Sequence, residues 1–204
     1  MNYRIVLFLH LAGAITSFAG VGVWFFAALA VRRVRRAEQV ASLASIYEMG
    51  GALTLVGVVV VAASGLGMAL TVWGLGVAWV QVGIGAFALM APVGPFIVSP
   101  RIARLIEAAQ TLDDGPLSPA LMARVNDPLP KVGLLVVLGD LAGIVFIMTL
   151  KPSLTGSILA VVVSVGLGAA LALPAVGRVV WGAVDALARM ERSSPLYRRD
   201  GPDG

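Results

Sequence analysis

Apolar residues gather along this chain into five long runs, at 3–31, 49–73, 77–99, 131–150 and 154–176. A helix that crosses hydrocarbon needs about 20 mainly apolar residues, so each run predicts one span. Polar residues punctuate them. Arg32, Arg33, Arg35 and Arg36 close the first run, and Gly74-Leu75-Gly76 turns the second into the third. Lys151-Pro152-Ser153 separates the fourth from the fifth. The runs are continuous rather than alternating, which excludes a spanning barrel. The expected fold is an all-α, polytopic transmembrane helical bundle of five spans.

The connecting segments carry their own patterns. Ile102, Leu105, Ile106 and Ala109 recur at helical spacing with Arg104 and Glu107 between them. That predicts an amphipathic interfacial helix over 101–112, ended by Asp113-Asp114-Gly115-Pro116. Ser118-Pro119 can open another turn or two before Asp127-Pro128-Leu129-Pro130 breaks the chain. Past the fifth span, 177–192 reads as a cytoplasmic helical extension. The polar, Pro/Gly-rich stretch 193–204 reads as a disordered tail. The first run carries only Arg4 before it, continues to Ala30 and shows no A-x-A site, so it reads as a retained helix, not a signal peptide.

Composition agrees: 59% of the 204 residues are hydrophobic and 13% charged, against about half and about a quarter in soluble domains. There is no cysteine, which removes disulfides, iron–sulfur clusters and thiolate metal sites. The net charge of +4 does not point to nucleic acid, because the basic residues sit at helix ends. Their distribution gives orientation instead. Of fifteen Lys and Arg, only Arg4 and Lys151 fall on one side of the five spans. The positive-inside rule then puts the N-terminus outside and the C-terminus inside, which in a bacterium means a multi-pass protein of the cytoplasmic (inner) membrane.

Polar side chains within the spans are the candidate chemistry, because hydrocarbon makes them costly. His10 shares a helical face with Gly13, Ala14 and Ser17, and small residues mark faces that pack on other helices. It reads as a structural histidine bonded to a neighbouring helix, or as a ligand for haem iron or copper, or as a proton carrier. Asp140, mid-way along the fourth span, lies beside Gly133 and Gly143, with Gly139 completing G-x-x-x-G. Those three glycines predict close helix packing. Asp140 reads either as a hydrogen-bonding link between helices or as a proton relay. Ser64, Met68, Gln81 and Met148 fall at about the depth of His10, and a histidine with thioethers suits Cu(I). Methionine also simply fills gaps. Tyr47 and Glu48 end the second span at the interface, with Glu48 expected to pair an arginine of the preceding run. No phosphate-binding loop, nucleophile elbow or H-E-x-x-H motif occurs, so neither a hydrolase nor a nucleotide-driven pump is expected.

Leu9-His10-Leu11-Ala12-Gly13-Ala14, Ser64-Gly65-Leu66 and Phe146-Ile147-Met148-Thr149-Leu150-Lys151-Pro152 together resemble the domain-of-unknown-function 2269 family of bacterial integral membrane proteins. The resemblance covers the first four spans. That family is distantly similar to the copper-resistance D membrane domain and to the haem-binding protoporphyrinogen oxidase of bacterial membranes. By that resemblance His10 would match a haem or copper histidine. The chain departs from those relatives in having no second intramembrane histidine and a plain aliphatic stretch over 54–63.

Three functions follow, in this order. The first is a non-catalytic structural or accessory membrane subunit without a cofactor, surrounded by lipid and joined to other membrane subunits or to itself as a homo-oligomer. The second is a membrane protein that handles haem b or copper through His10. The third is a small proton-coupled transporter using Asp140, for which Ala91-Pro92-Val93-Gly94-Pro95 is the one candidate helix break. The charge asymmetry is directly testable. A reporter fused after Gly204 should be active in the cytoplasm, and activity confined to the periplasm would overturn the orientation.

Overall fold

In hydrocarbon a backbone polar group has no water to bond, so an apolar chain must satisfy its own donors and acceptors within helices. The computed structural model describes residues 2–110 and 118–193, and its regular structure there is helical throughout, with no strand. Eight α-helices follow in order among these residues: α1 (Tyr3–Ala30), α2 (Ala37–Ser42), α3 (Ala44–Met68), α4 (Ala78–Met90), α5 (Ser99–Gln110), α6 (Pro119–Val125), α7 (Leu129–Leu150) and α8 (Leu154–Ser193). With their short helical extensions, five are long and apolar enough to cross a membrane: Tyr3–Arg33, Glu38–Trp73, Ala78–Gln110, Pro119–Leu150 and Leu154–Pro174.

Three boundaries differ from the sequence pattern. Helix starts at Ala37 rather than near residue 49, because α2 leads into α3 with a single non-helical residue between them. The third run is not one helix. Pro92 cannot donate the hydrogen bond that would continue α4, so the chain loosens at Ala91-Pro92 and re-forms as a π-helical turn, Val93–Val98, before α5 begins. Finally, α8 continues through Pro174 to Ser193, joining the expected fifth span and its extension into one helix. Apart from Ser193, the expected tail lies outside the described residues, as do residues 111–112 of the expected amphipathic helix and the segment 113–116 expected to end it.

Two helix pairs form the frame. In the first, α1 lies along α3 with Gly13, Ser17 and Gly20 facing Gly50, Thr54 and Gly57. A Cβ on Gly20 would stand 2.7 Å from the Gly50 carbonyl oxygen, and one on Gly57 would stand 2.7 Å from the Gly13 carbonyl oxygen. In the second pair, α7 lies along α8. Gly139 and Gly168 each face a carbonyl oxygen of the other helix, that of Ser164 and that of Leu135, while Gly143 packs on Val161 and Ser164. Lipid tails are as apolar as leucine, so hydrophobicity alone cannot select these faces; small residues that let backbones approach can.

α7 is the hub. Besides α8 it packs on α1, on α4 and on the π-turn, where Gly133 meets the side chains of Val93 and Val98. By contrast α3 and α4, though consecutive, make little or no contact beyond their turn. At the arginine end, α5 buries Leu105 and Ala109 against Val31, Val34, Val40, Leu121 and Val125. This apolar cap is held from outside by Arg101 on Asp127 (3.5 Å) and by Arg124 donating to the Arg104 carbonyl (3.0 Å).

The α1–α3 contact predicts a sharp contrast between glycines. Gly57→Val would force the two backbones apart and should destabilise the fold by about 2–3 kcal/mol or more, as overpacked cores do. A Cβ on Gly22 would meet nothing within 4 Å, so Gly22→Ala should be neutral or stabilising by up to about 1 kcal/mol through helix propensity. Unfolding in detergent micelles measures both, and equal melting temperatures for the two variants would contradict the packing.

Candidate functional site

The separation of α3 from α4 leaves a chamber of about 450 Å³ near the middle of the bundle, bounded by α1, α3, α4, the π-turn and α7. Its walls are apolar for the most part, with Leu55, Val58, Phe87, Met90, Val137 and Leu141 among them. Two polar groups reach it from buried positions. Asp140 is 2% exposed and its Oδ1 has no hydrogen-bond partner; Ser17 is 4% exposed and its hydroxyl has none either. A third, Thr54, is satisfied within its own helix, donating to the Gly50 carbonyl at 2.8 Å. Among the described residues no Lys, Arg or His lines the chamber.

Trp24 closes the end of the chamber nearer the arginines. Its indole N–H donates to the Tyr47 carbonyl (2.9 Å), and its ring stacks on Tyr47 with centroids 5.2 Å apart. The large ring fits because glycines flank it: Cβ atoms on Gly51 and Gly94 would stand 3.4 and 3.5 Å from the indole. Beyond Trp24 lies a second hollow, also about 450 Å³, whose lining includes Tyr47, Glu48, Ser99, Glu107 and Gln110. Trp24, Gly51 and Ser99 border both spaces, so the hollow adjoins the chamber. Glu48 forms no ion pair among the described residues. Arg36 instead takes the sequence-adjacent Glu38 at 2.6 Å, correcting the expected Glu48–arginine pair. Glu38 lies two residues from Arg36 and reaches it without crossing the helix start.

Toward the Lys151 end, His10 faces α3. Its Nδ1 lies 3.2 Å from the Ser64 hydroxyl oxygen, and that hydroxyl donates to the Val60 carbonyl. With its proton on the Val60 carbonyl, the Ser64 oxygen is placed to accept from Nδ1 of His10. The remaining donors expected at this depth are elsewhere. Met148 packs into a cluster with Trp73, Trp79 and Val80 and reaches over Gly83; Met68 is buried at the end of α3; Gln81 is exposed. Among the described residues no three His, Asp or Glu side chains are placed to hold a metal ion. Among the described residues the partner of the His10 ring is thus the Ser64 hydroxyl on α3.

The sequence pattern singles out Asp140 but not its surroundings. On α7, Gly139 and Gly143 turn to α8, whereas Asp140, Val137 and Leu141 turn to the chamber. Ser17, seven residues after His10 on α1, stands out in the sequence only as part of a small-residue face. Trp24 carries no signal there beyond its size. A further feature without a sequence signal is a clamp at the far turn. Lys151 caps α7 in the left-handed region (φ 49°), which non-glycine residues seldom adopt. Its ammonium sits 3.9 Å from the centre of the Trp73 ring, which meets Trp79 edge-on at 5.3 Å. The cation–π contact ties the α3–α4 turn to the α7–α8 turn.

Compared with known protein families, residues 4–152 match the one described as "Predicted integral membrane protein (DUF2269)". No curated protein and no solved structure matches the chain. The matched segment includes α1 to α7, and with them Ser17, Trp24, Thr54, Phe87 and Asp140; α8 lies beyond it.

Two side-chain pairs give measurable expectations. Lys151→Gly relieves the positive φ but removes the ammonium, so its effect should depend on whether Trp73 is present. A double-mutant cycle with Trp73→Ala should show coupling of about 1 kcal/mol, and additive effects would mean the contact adds nothing. His10→Ala should cost about 1 kcal/mol in detergent unfolding, and less once Ser64 is Ala. Loss of a bound chromophore or metal on His10→Ala would instead restore the ligand reading.

Proposed function

Because the chain belongs to this family of predicted integral membrane proteins, its work is done in a lipid bilayer, and we propose that the work is the binding and passage of a small guest through the Asp140 chamber. The reading rests on one observation: an acid at mid-membrane, nine-tenths buried, keeps an unpartnered oxygen beside a cavity of about 450 Å³. A helix-linking aspartate would spend that oxygen on a neighbouring helix. A buried polar group left unmatched costs about 1–3 kcal/mol, and such costs persist where a site needs them.

The broken third span supports the same reading. Interrupted helices at membrane depth are tolerated where they line a cavity, and in carriers they mark the binding site. Here the Ala91-Pro92 break and the π-turn after it border the chamber through Ala91, Gly94, Pro95 and Val98. The site holds an acid and a hydroxyl with no hydrogen bond between them. That arrangement suits binding better than covalent catalysis, which requires a base touching its nucleophile. The protein is therefore read as a non-catalytic carrier with an interior site of its own. In orientation, the gathering of arginines at the α2–α5–α6 end favours N-terminus out and C-terminus in, within a bacterial cytoplasmic membrane. The acidic hollow then opens to the cytoplasm.

The absence of cysteine makes a direct test available. Val58→Cys and Val137→Cys each place one thiol on the chamber wall. Thiols react as thiolates and so need water. Both variants, in lipid nanodiscs, should be labelled by N-ethylmaleimide, while Val163→Cys, on the 55% exposed outer face of α8, should stay unlabelled in hydrocarbon. If the chamber thiols resist the reagent as Val163→Cys does, the space is filled with lipid or closed, and the proposal fails.

A further inference from the structure

We infer that the guest of this chamber is an amphipathic organic cation: a primary or secondary ammonium on a compact apolar body, with its nitrogen at Asp140. The inference rests on the proposed chamber reading and deepens it by naming a ligand class. Three features of the site point the same way.

The first is charge. Among the described residues Asp140 is the one ionisable side chain lining the chamber, and no basic residue lines it with Asp140. An ionised carboxylate taken out of water is strongly penalised unless a counter-charge accompanies it. Within this space only the guest can bring one. The second is the supply of acceptors. The lining holds two acceptors without partners, Oδ1 of Asp140 and the Ser17 oxygen, and an ammonium N–H can donate to the first of them. A bare metal ion would need more oxygen ligands than these, and no cluster of three is formed among the described residues.

The third is shape. About 450 Å³ is room for a small organic molecule and far more than an ion or a proton requires. Leu55, Val58, Met90 and Val137 offer an apolar bed, and Phe87 adds an aromatic ring to the wall. Two approaches lead in. The α3–α4 gap opens the chamber sideways, with Leu55 on its wall still 65% exposed, so a guest dissolved in the bilayer can enter laterally. The adjoining hollow carries Glu48 and Glu107 and, among the described residues, no basic side chain in its lining, which favours a cation from that side as well.

The test uses the full chain in nanodiscs with a matched pair of probes, 2-(1-naphthyl)ethylamine and 2-(1-naphthyl)ethanol. Binding is measured by equilibrium dialysis against empty nanodiscs. The amine should bind at least about ten-fold more tightly than the alcohol, the scale of one charge-assisted hydrogen bond. Asp140→Asn should erase that preference, and Ser17→Ala should reduce it in part. If D140N does not fold, Val58→Trp, which fills the chamber from its wall, should remove saturable amine binding instead. Equal affinity for amine and alcohol overturns the cation inference and leaves the chamber standing, with a small neutral hydrogen-bonding molecule as its guest. An amine preference that survives both D140N and Val58→Trp also overturns it, because the site then lies elsewhere. Binding of neither probe overturns the cation and the chamber together.

Discussion

Everything in this bundle follows from packing helices whose surfaces are apolar nearly all the way round. In water such a surface would collapse on any other. In lipid it gains little by doing so, and partners are chosen by how closely backbones can approach. The chain meets this constraint with two glycine- and serine-lined seams, one between α1 and α3 and one between α7 and α8. At both, a Cβ on key glycines would run into the backbone of the facing helix. The seams leave no room for a larger side chain at those glycines for that reason. The rest of the molecule is arranged around them.

Between the seams the packing is incomplete. α7 joins the two pairs by touching α1, and α4 leans on α7 and α8 rather than on α3, its neighbour in sequence. The third span, broken by proline, follows α7 through both α4 and the π-turn and leaves α3. The same break that frees the chain at Ala91-Pro92 thus opens the space on which Asp140 and Ser17 border. Trp24 keeps this space from collapsing at one end, wedged between glycines of α3 and of the π-turn and anchored by its bond to the Tyr47 carbonyl. Packing, cavity and chemistry are therefore three consequences of one distribution of small residues and one proline pair.

The polar groups divide by how they are satisfied. His10 has its partner in Ser64, and Thr54 has one in its own backbone. Lys151, in an unusual backbone conformation, rests its charge on Trp73. Each of these contacts ties its side chain to its own helix or to a surrounding one. Asp140, Ser17 and Tyr47 differ, each being buried with a polar side-chain atom left unpartnered among the described residues. Of these, Asp140 and Ser17 border the chamber.

Sequence alone determined the class of structure: five spans and an amphipathic segment around 101–110 were legible, because hydrocarbon thickness and helix rise fix how long an apolar run must be. Part of the α7–α8 seam was also visible, as the G-x-x-x-G of Gly139 and Gly143. Depth along a helix can be counted, so His10 and Ser64 could be placed at one level before any contact was known. Direction around a helix was legible only where small residues mark a face, as beside His10; elsewhere every face is apolar, and periodicity vanishes when nothing alternates. Only the tertiary structure decided that Asp140 turns away from the glycines beside it and into a chamber, that Gln81 faces outward, and that Met148 joins the tryptophans instead of His10. Those outcomes depend on which helices are neighbours and on the gap a broken span leaves between α3 and α4, and neither is a property of any one segment.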